Sequence, residues 1–273
     1  MSRAPTISMS EADFAREAAQ RVVTTHERLV EFIGEGKTLA EVDAEAARIL
    51  KDLDCRSCFL RYRVPRVPPY PNHACLSVNE CIVHGTSESH REPLKRGDLF
   101  SVDIGVKYTG WIGDAAWTYA IGEVSDENRA LMECGKESLR RSIPELRPGN
   151  QYIAWARACQ QYVEEECGFH VVRGLGGHGI GRKLHGPPFI SNNVPSMPGE
   201  WPDAFTKCEP GTLIAVEPMI AVGTARTLQE PKMWPIYTAD NSMSVHYEAD
   251  VLITEEGPEN MTEGMFDLPD VVG

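Results

Sequence analysis

One nine-residue pattern occurs twice in this chain, and that repetition constrains the fold more than any other feature. Glu209-Pro-Gly-Thr-Leu-Ile-Ala-Val-Glu217 has the form of Lys95-Arg-Gly-Asp-Leu-Phe-Ser-Val-Asp103. Gly97 corresponds to Gly211 and Asp103 to Glu217, each at an offset of 114 residues. Helix-opening residues echo at nearly the same distance: Ser10 to Ser125 is 115 and Thr38 to Asn150 is 112. A period this long is not that of a solenoid. It predicts an α+β chain of two halves, about 10–120 and 125–255, packed around a common sheet with equivalent carboxylates facing each other at the junction. The whole of 1–273 reads as a single domain, with an acidic tail over about 256–273.

The first copy leads into a strand pair. Phe100, Val102, Ile104 and Val106 alternate with Ser101, Asp103 and Gly105, the period-two pattern of a strand with one apolar face. Asp103 therefore points away from that face, in mid-strand, where aspartate is disfavoured. Asp114 follows eleven residues later on the return strand. Like charges opposed across a ladder repel, so a cation or a shared proton is the natural remedy. Taken alone, the two would equally be solvent-facing aspartates at strand ends.

Ser10-Glu-Ala-Asp13 reads as a capping box opening a helix to Ile33, and Thr38-Leu-Ala-Glu41 as a second. Ser125 caps a third helix through about Ser142, and Gly149–Asn150 open a fourth that runs to Glu166. The Pro-rich stretch 187–208 reads as a long rim loop.

The net charge of −13 and pI near 5.1, with no Lys/Arg block, exclude nucleic-acid binding through a basic surface. The first residues carry no apolar h-region, and no apolar run has membrane-spanning length. Eight cysteines without a framework fit a reducing cytoplasm. Cys55-x-x-Cys58 lacks a second pair at zinc-finger spacing and reads as coincidence or surface thiols, not a metal site.

Further chemistry-bearing residues sit in apolar or glycine-rich settings. Glu217 lies in Leu213-Ile-Ala-Val-Glu-Pro-Met-Ile-Ala-Val222, where a lone buried carboxylate is costly. Proline after it breaks the ladder. Glu248 lies among β-formers in Val245-His-Tyr-Glu-Ala-Asp-Val-Leu-Ile253. His178 sits in Gly174-Leu-Gly-Gly-His-Gly-Ile-Gly-Arg182, whose glycines imply close approach of a backbone or a ligand. Each residue singly is equally a structural hydrogen bonder. Jointly, Asp103, Asp114, His178, Glu217 and Glu248 suit a pair of divalent ions, Mn, Fe(II) or Co more than thiolate-type zinc. Two such ions roughly 3.5–4 Å apart would share carboxylates and an activated water.

These motifs together resemble the methionine aminopeptidases: Asp103 and Asp114 at their spacing, Gly177-His-Gly-Ile-Gly-Arg-x-x-His185, Glu217-Pro, Tyr247-Glu248, and Asn79-Glu80 ahead of His84-Gly85. The likeness covers about residues 10–255 and is closer to type I than type II. It implies the duplicated "pita-bread" fold, two pseudo-symmetric halves around a curved, mainly antiparallel sheet. It implies two divalent ions (Co, Mn, Fe(II) or Zn) held by Asp103, Asp114, His178, Glu217 and Glu248, with Asp114 and Glu248 bridging and Glu217 also moving the proton of the attacking water. His84 and His185 would flank the scissile amide. Tyr70, Cys75 and Trp234 would form the methionine pocket, which their composition suits. The substrate implied is a peptide or nascent-chain N-terminus, met by a cytoplasmic monomer with transient ribosome association.

The chain departs from the family in places. Arg61–Pro69 replaces a small aromatic loop, with Val67 standing where an aromatic is usual. Ala115-Ala116 follow Asp114 in place of Thr/Ser, an expected weakening of the groups behind the ligands. Leu184 precedes His185, and His246 stands where glutamine is common. Two other readings stay open: an Xaa-Pro-type dinuclear exopeptidase of the same fold, and a non-catalytic binding module.

Overall fold

The computed structural model describes residues 5–273; residues 1–4 of the expected 1–273 domain lie outside that description. Two helices open each half. The first half has α1 (Met9–Val30), α2 (Leu39–Asp52), β1 (Arg56–Ser57), β2 (Cys75–Val78), β3 (Cys81–Val83), β4 (Leu99–Tyr108) and β5 (Trp111–Ile121). The second begins with α3 (Asp126–Ser142) and α4 (Ile153–Gln160). Short strands follow: β6 (His170–Val171), β7 (Gly176–Gly179), β8 (Gly186–Ser191), β9 (Leu213–Val216), β10 (Met219–Ala221) and β11 (Thr227–Leu228). The chain closes with β12 (Ile236–Thr238), β13 (Ser244–His246), β14 (Ala249–Ile253), β15 (Pro258–Asn260) and β16 (Val271–Val272).

The sheet surface divides into four hydrogen-bonded pieces. One five-stranded sheet has the order β1-β4-β5-β16, with β2 also on β4; the other runs β15-β14-β9-β7-β8. Two three-stranded sheets, β13-β10-β6 and β11-β12-β3, complete the surface. Every strand pairing is antiparallel except β16 on β5. Strand β5 is the seam between halves. Its Ile112 N–H donates to Gly181 O at 2.8 Å, and its Ala116 O accepts Glu248 N–H at 2.9 Å.

Strand β4 is buried on both faces, as the seam requires. Phe100, Val102, Ile104 and Val106 join the main core with Trp117 and Tyr247, while Asp103 faces the other way. Helix α1 packs on β4 and β5, and α3 against β10 and β13. Thr38 caps α2 as expected, with Thr38 N–H donating to Glu41 at 2.8 Å, and Ser125 caps α3.

Some sequence expectations need correction. Helix α1 is capped by Ser8, not Ser10, because Glu11 reaches back to Ser8 N–H at 3.0 Å while Asp13 pairs with Arg16. The fourth helix starts at Ile153, and its last turn, Gln161–Glu166, is a π-helix. Cys55 is buried, so the Cys55/Cys58 pair is not a surface one. The segment 256–273 is not a tail. Strand β15 pairs with β14, Met265 is buried at 1% exposure, and β16 crosses back to pair with β5 of the first half. Two of its five acidic residues are ion-paired, Glu259 with Arg16 and Asp270 with Lys136, each at 2.7 Å. At these two, charge read as solvation was charge with a partner.

Candidate metal centre

Asp103 on β4 lies opposite Ala116, and Asp114 on β5 lies opposite Gly105. The two carboxylates are thus diagonal neighbours on one face. On its other side Asp103 pairs with Cys75 of β2. Glu217 and Glu248 come from a second device. Strand β9 pairs with β14, and β10 with β13, but in different sheets. Glu217-Pro218 is the kink between β9 and β10, and Tyr247-Glu248 the kink between β13 and β14. Breaking both ladders at one level turns the two glutamates toward the seam. The proline after Glu217 marks this change of sheet.

His178 is carried by β7, opposite Ala215 of β9. The surrounding glycines serve backbone approach: a Cβ on Gly177 would come 2.1 Å from Ala215 O, and one on Gly179 2.0 Å from Pro187 O. His178 Nδ1 lies 3.3 Å from Gly179 O, so donation there leaves the Nε2 lone pair free. Nε2 stands 3.7 Å from Glu217 Oε1.

All ten sequence-derived site residues line one cavity of about 460 Å³: Asp103, Asp114, His178, Glu217, Glu248, His84, His185, Tyr70, Cys75 and Trp234. One donor atom each from Asp114, His178 and Glu248 lie within 4.8 Å of one another. Burial raises all four carboxyls, Asp103 to about 7. Asp114 is raised by burial and then by Asp103, Asp250 and Glu217. Glu217 is raised by burial and Asp103, and Glu248 by burial, Asp114 and Glu217. Burial holds His84 near 4 and His178 near 3, and lowers His185. Four crowded carboxyls beside neutral imidazoles are a site short of positive charge. Asp103 Oδ1, Asp114 Oδ1 and Glu248 Oε1 are buried without a hydrogen-bond partner. Unpaired buried oxygens cost free energy, and divalent cations take such oxygens as ligands. These residues fit the metal pair that the sequence suggests.

Elsewhere in the cavity lining, Tyr70 Oη donates to Gly85 O at 2.6 Å, and its ring meets Trp234 edge-on at 5.2 Å. Trp234 Nε1 donates to Pro68 O at 2.7 Å. His84 has φ of 59°, an uncommon conformation for a residue with a side chain. The strain places its ring against Trp234.

Sequence reasoning missed Tyr62 and Asp250. Val67 does not line the cavity; Tyr62 does, with Phe59. Tyr62 Oη is 2.7 Å from His185 Nδ1, across a separation of 123 residues. The only available signal was an aromatic residue inside the divergent Pro-rich loop. Asp250 Oδ2 accepts Asp114 N–H at 2.9 Å, and Asp250 is wholly buried with its carboxyl pushed up to about 8 by burial. Its signal was the period-two placement after Glu248. The alanines after Asp114 act through their carbonyls: Ala116 O holds Glu248 N–H, and Ala115 O lies 3.3 Å from His26 Nε2.

A duplicated α+β fold with buried carboxylates and imidazoles converging on a cavity at its seam defines a class: chains built to hold divalent cations beside a bound substrate. Within that class, this chain belongs to metallopeptidase family M24, whose family pattern matches residues 13–255. It is 36% identical over 252 residues to methionine aminopeptidase 1 of Bacillus subtilis (strain 168), covering 92% of this chain and 96% of that one. It superimposes on the crystal structure of a methionine aminopeptidase from Thermotoga maritima with a TM-score of 0.86 at 32% identity, covering 95% of this chain and 99% of that one. An Xaa-Pro dipeptidase from Bacillus anthracis superimposes at 0.71 with 22% identity, covering 98% of this chain and 64% of that one, a likeness of fold.

Proposed function

We propose that this chain is a metal-dependent methionine aminopeptidase, removing methionine from the N-terminus of peptides and nascent proteins. The observation that carries the reading is the convergence of all ten expected site residues on one cavity, together with relatives of that name at 30–36% identity over most of the chain.

Asp103, Asp114, His178, Glu217 and Glu248 would hold the two ions, with Asp114 and Glu248 shared. Bound divalent ions supply polarisation of a peptide carbonyl and a water acidic enough to attack it near neutral pH. Co, Mn, Fe(II) and Zn all suit such donors. Glu217, beside His178 and with its carboxyl raised by burial and Asp103, would take the proton of the attacking water and return it to the leaving amine. His84 and His185 are neutral imidazoles at the cavity wall. Each can donate one N–H, to the developing oxyanion or the leaving nitrogen. Donation by Tyr62 Oη to His185 Nδ1 places that proton on Nε2. Tyr70, Cys75 and Trp234, with Phe59 and Tyr62, give the apolar, sulfur-containing wall that an unbranched thioether side chain fills.

Eight unpaired cysteines suit a reducing compartment, and the cytoplasm is the expected location. Among the described residues no helix is long and apolar enough to cross a membrane. Nascent chains met during transient ribosome association are the proposed source of substrate, with the protein acting as a monomer.

The test is release of methionine from Met-Ala-Ser by chelated protein with Mn, Fe(II), Co or Zn added back singly, beside an Ala-Pro peptide. Metal-restored release from Met-Ala-Ser alone supports the reading. Cleavage of Ala-Pro alone replaces it with the Xaa-Pro activity.

A further inference from the structure

The cavity is lined by a fourth imidazole, His246, besides His178 of the ligand set and His84 and His185 at the wall. His246 ends β13, two residues before Glu248. Its side chain is 3% exposed, and its Nε2 is buried without a hydrogen-bond partner. Nε2 stands 3.5 Å from Glu217 Oε2 and 3.8 Å from Glu248 Oε2.

Those separations are too long for N–H···O hydrogen bonds, which end near ~3.2 Å. They are close to those between donors on a common ion. Nitrogen and oxygen ligands at about 2.0–2.2 Å from a cation lie roughly 3–3.6 Å apart. His178 Nε2 and Glu217 Oε1, at 3.7 Å, show nearly the same spacing. Donor atoms of Glu217, His246 and Glu248 fall within 4.8 Å of one another, as do those of Asp114, His178 and Glu248. Glu248 belongs to both triplets, as a bridging carboxylate between two ions would.

The imidazole is also held in place. His246 N–H donates to Thr118 Oγ1 at 3.0 Å, and Thr118 Oγ1 donates to His246 O at 3.0 Å. This ties the residue to β5, the strand that carries Asp114.

We infer that His246 is a metal ligand, its Nε2 joining Glu217 and Glu248 around one ion so that the centre offers two imidazoles instead of one. The inference rests on the metallo-aminopeptidase reading and deepens it. A second nitrogen donor shifts preference from Mn toward Co, Fe(II) and Zn, which imidazole suits better.

The test uses the full chain, stripped and reloaded with two equivalents of Co(II). X-ray absorption then counts imidazoles, and calorimetry gives the affinity of each site. The wild type is expected to show two imidazoles per pair of ions. His246→Gln and His246→Ala should show one, with one site weakened about 100-fold or more and Mn affinity falling less than Co affinity. Unchanged thermal melts of the stripped variants would separate ligand loss from misfolding; if neither variant folds, the wild-type imidazole count decides. Two ions with one imidazole in the wild type, or His246→Gln with unaltered affinity and scattering, overturns the inference while leaving the aminopeptidase reading intact. A wild type that binds no ion overturns both.

Discussion

Tyr62 Oη and His185 Nδ1 meet at 2.7 Å, joining the Pro-rich loop of the first half to the glycine-rich turn of the second. The rings meet edge-on at 5.2 Å, and the pair forms part of the cavity wall. With the Tyr62 hydroxyl as donor, His185 Nδ1 accepts and the ring proton sits on Nε2.

Replacing Tyr62 by Phe keeps the ring and removes that bond. A hydrogen bond is worth about 1 kcal/mol, so kcat is expected to fall about fivefold to tenfold, with KM and metal content nearly unchanged. Steady-state kinetics on Met-Ala-Ser, with metal analysis of the same sample, provides the check. An unaltered kcat would remove Tyr62 from the positioning of His185.

Asp250 stands behind Asp114, accepting its N–H. Asp250→Ala leaves that buried donor unpaired, at a cost of about 1–3 kcal/mol. It also frees the strand that carries Asp114, a proposed metal ligand, so metal affinity is expected to drop about 10–100-fold. Asp250→Asn, which keeps an acceptor, should lose less of both. Urea melts of the stripped protein and calorimetric metal titration measure the two effects, and equal losses in the two variants would contradict the account.

His26 bears on pH dependence. It is fully buried between Tyr119 and Ala115, and burial lowers it to about 4. The unfolded chain takes up a proton near the ordinary value of 6.5 while the folded protein does not. His26 therefore contributes stability that is fully present above about 6.5 and is lost as pH falls toward 4. The difference amounts to about 3 kcal/mol. His26→Gln should flatten this part of the profile, so the stability gap between wild type and variant shrinks on acidification. A gap that is constant from pH 7 to 4 would show that His26 is not held neutral.

The C-terminal segment belongs to the core. Met265→Ala should destabilise the protein by about 2–5 kcal/mol, as expected for a fully buried side chain. A change within experimental scatter by chemical denaturation would return the segment to the status of a tail.

Legibility in the sequence followed locality. The alternation around Asp103 correctly assigned its two faces, because a strand's side chains have a fixed period. Glu217-Pro marked a ladder break, because proline cannot donate. What stayed hidden depended on partners far along the chain. The segment 256–273 looked like a tail because Arg16 and Lys136, which neutralise Glu259 and Asp270, are more than a hundred residues away. Ser10 reads as a cap because Asp13 stands at capping distance, but the structure ties Asp13 to Arg16 and caps the helix with Ser8 and Glu11. Tyr62 was hidden because a Pro-rich loop has no periodicity from which to read a direction. His246 was visible as an unusual residue, but its spacing to Glu217 exists only once β10 and β13 pair.

The central claim is that this carboxylate cluster holds the metal that removes methionine. Its most direct test is the rate of methionine release from Met-Ala-Ser by stripped and Co(II)-reloaded protein, wild type beside Asp114→Asn. This near-isosteric change removes charge from a buried residue whose Oδ1 lacks a hydrogen-bond partner. The wild type is expected to recover release in proportion to bound metal, while Asp114→Asn binds less metal and stays at least ~100-fold slower. Equal release by both proteins would contradict the assignment of the site.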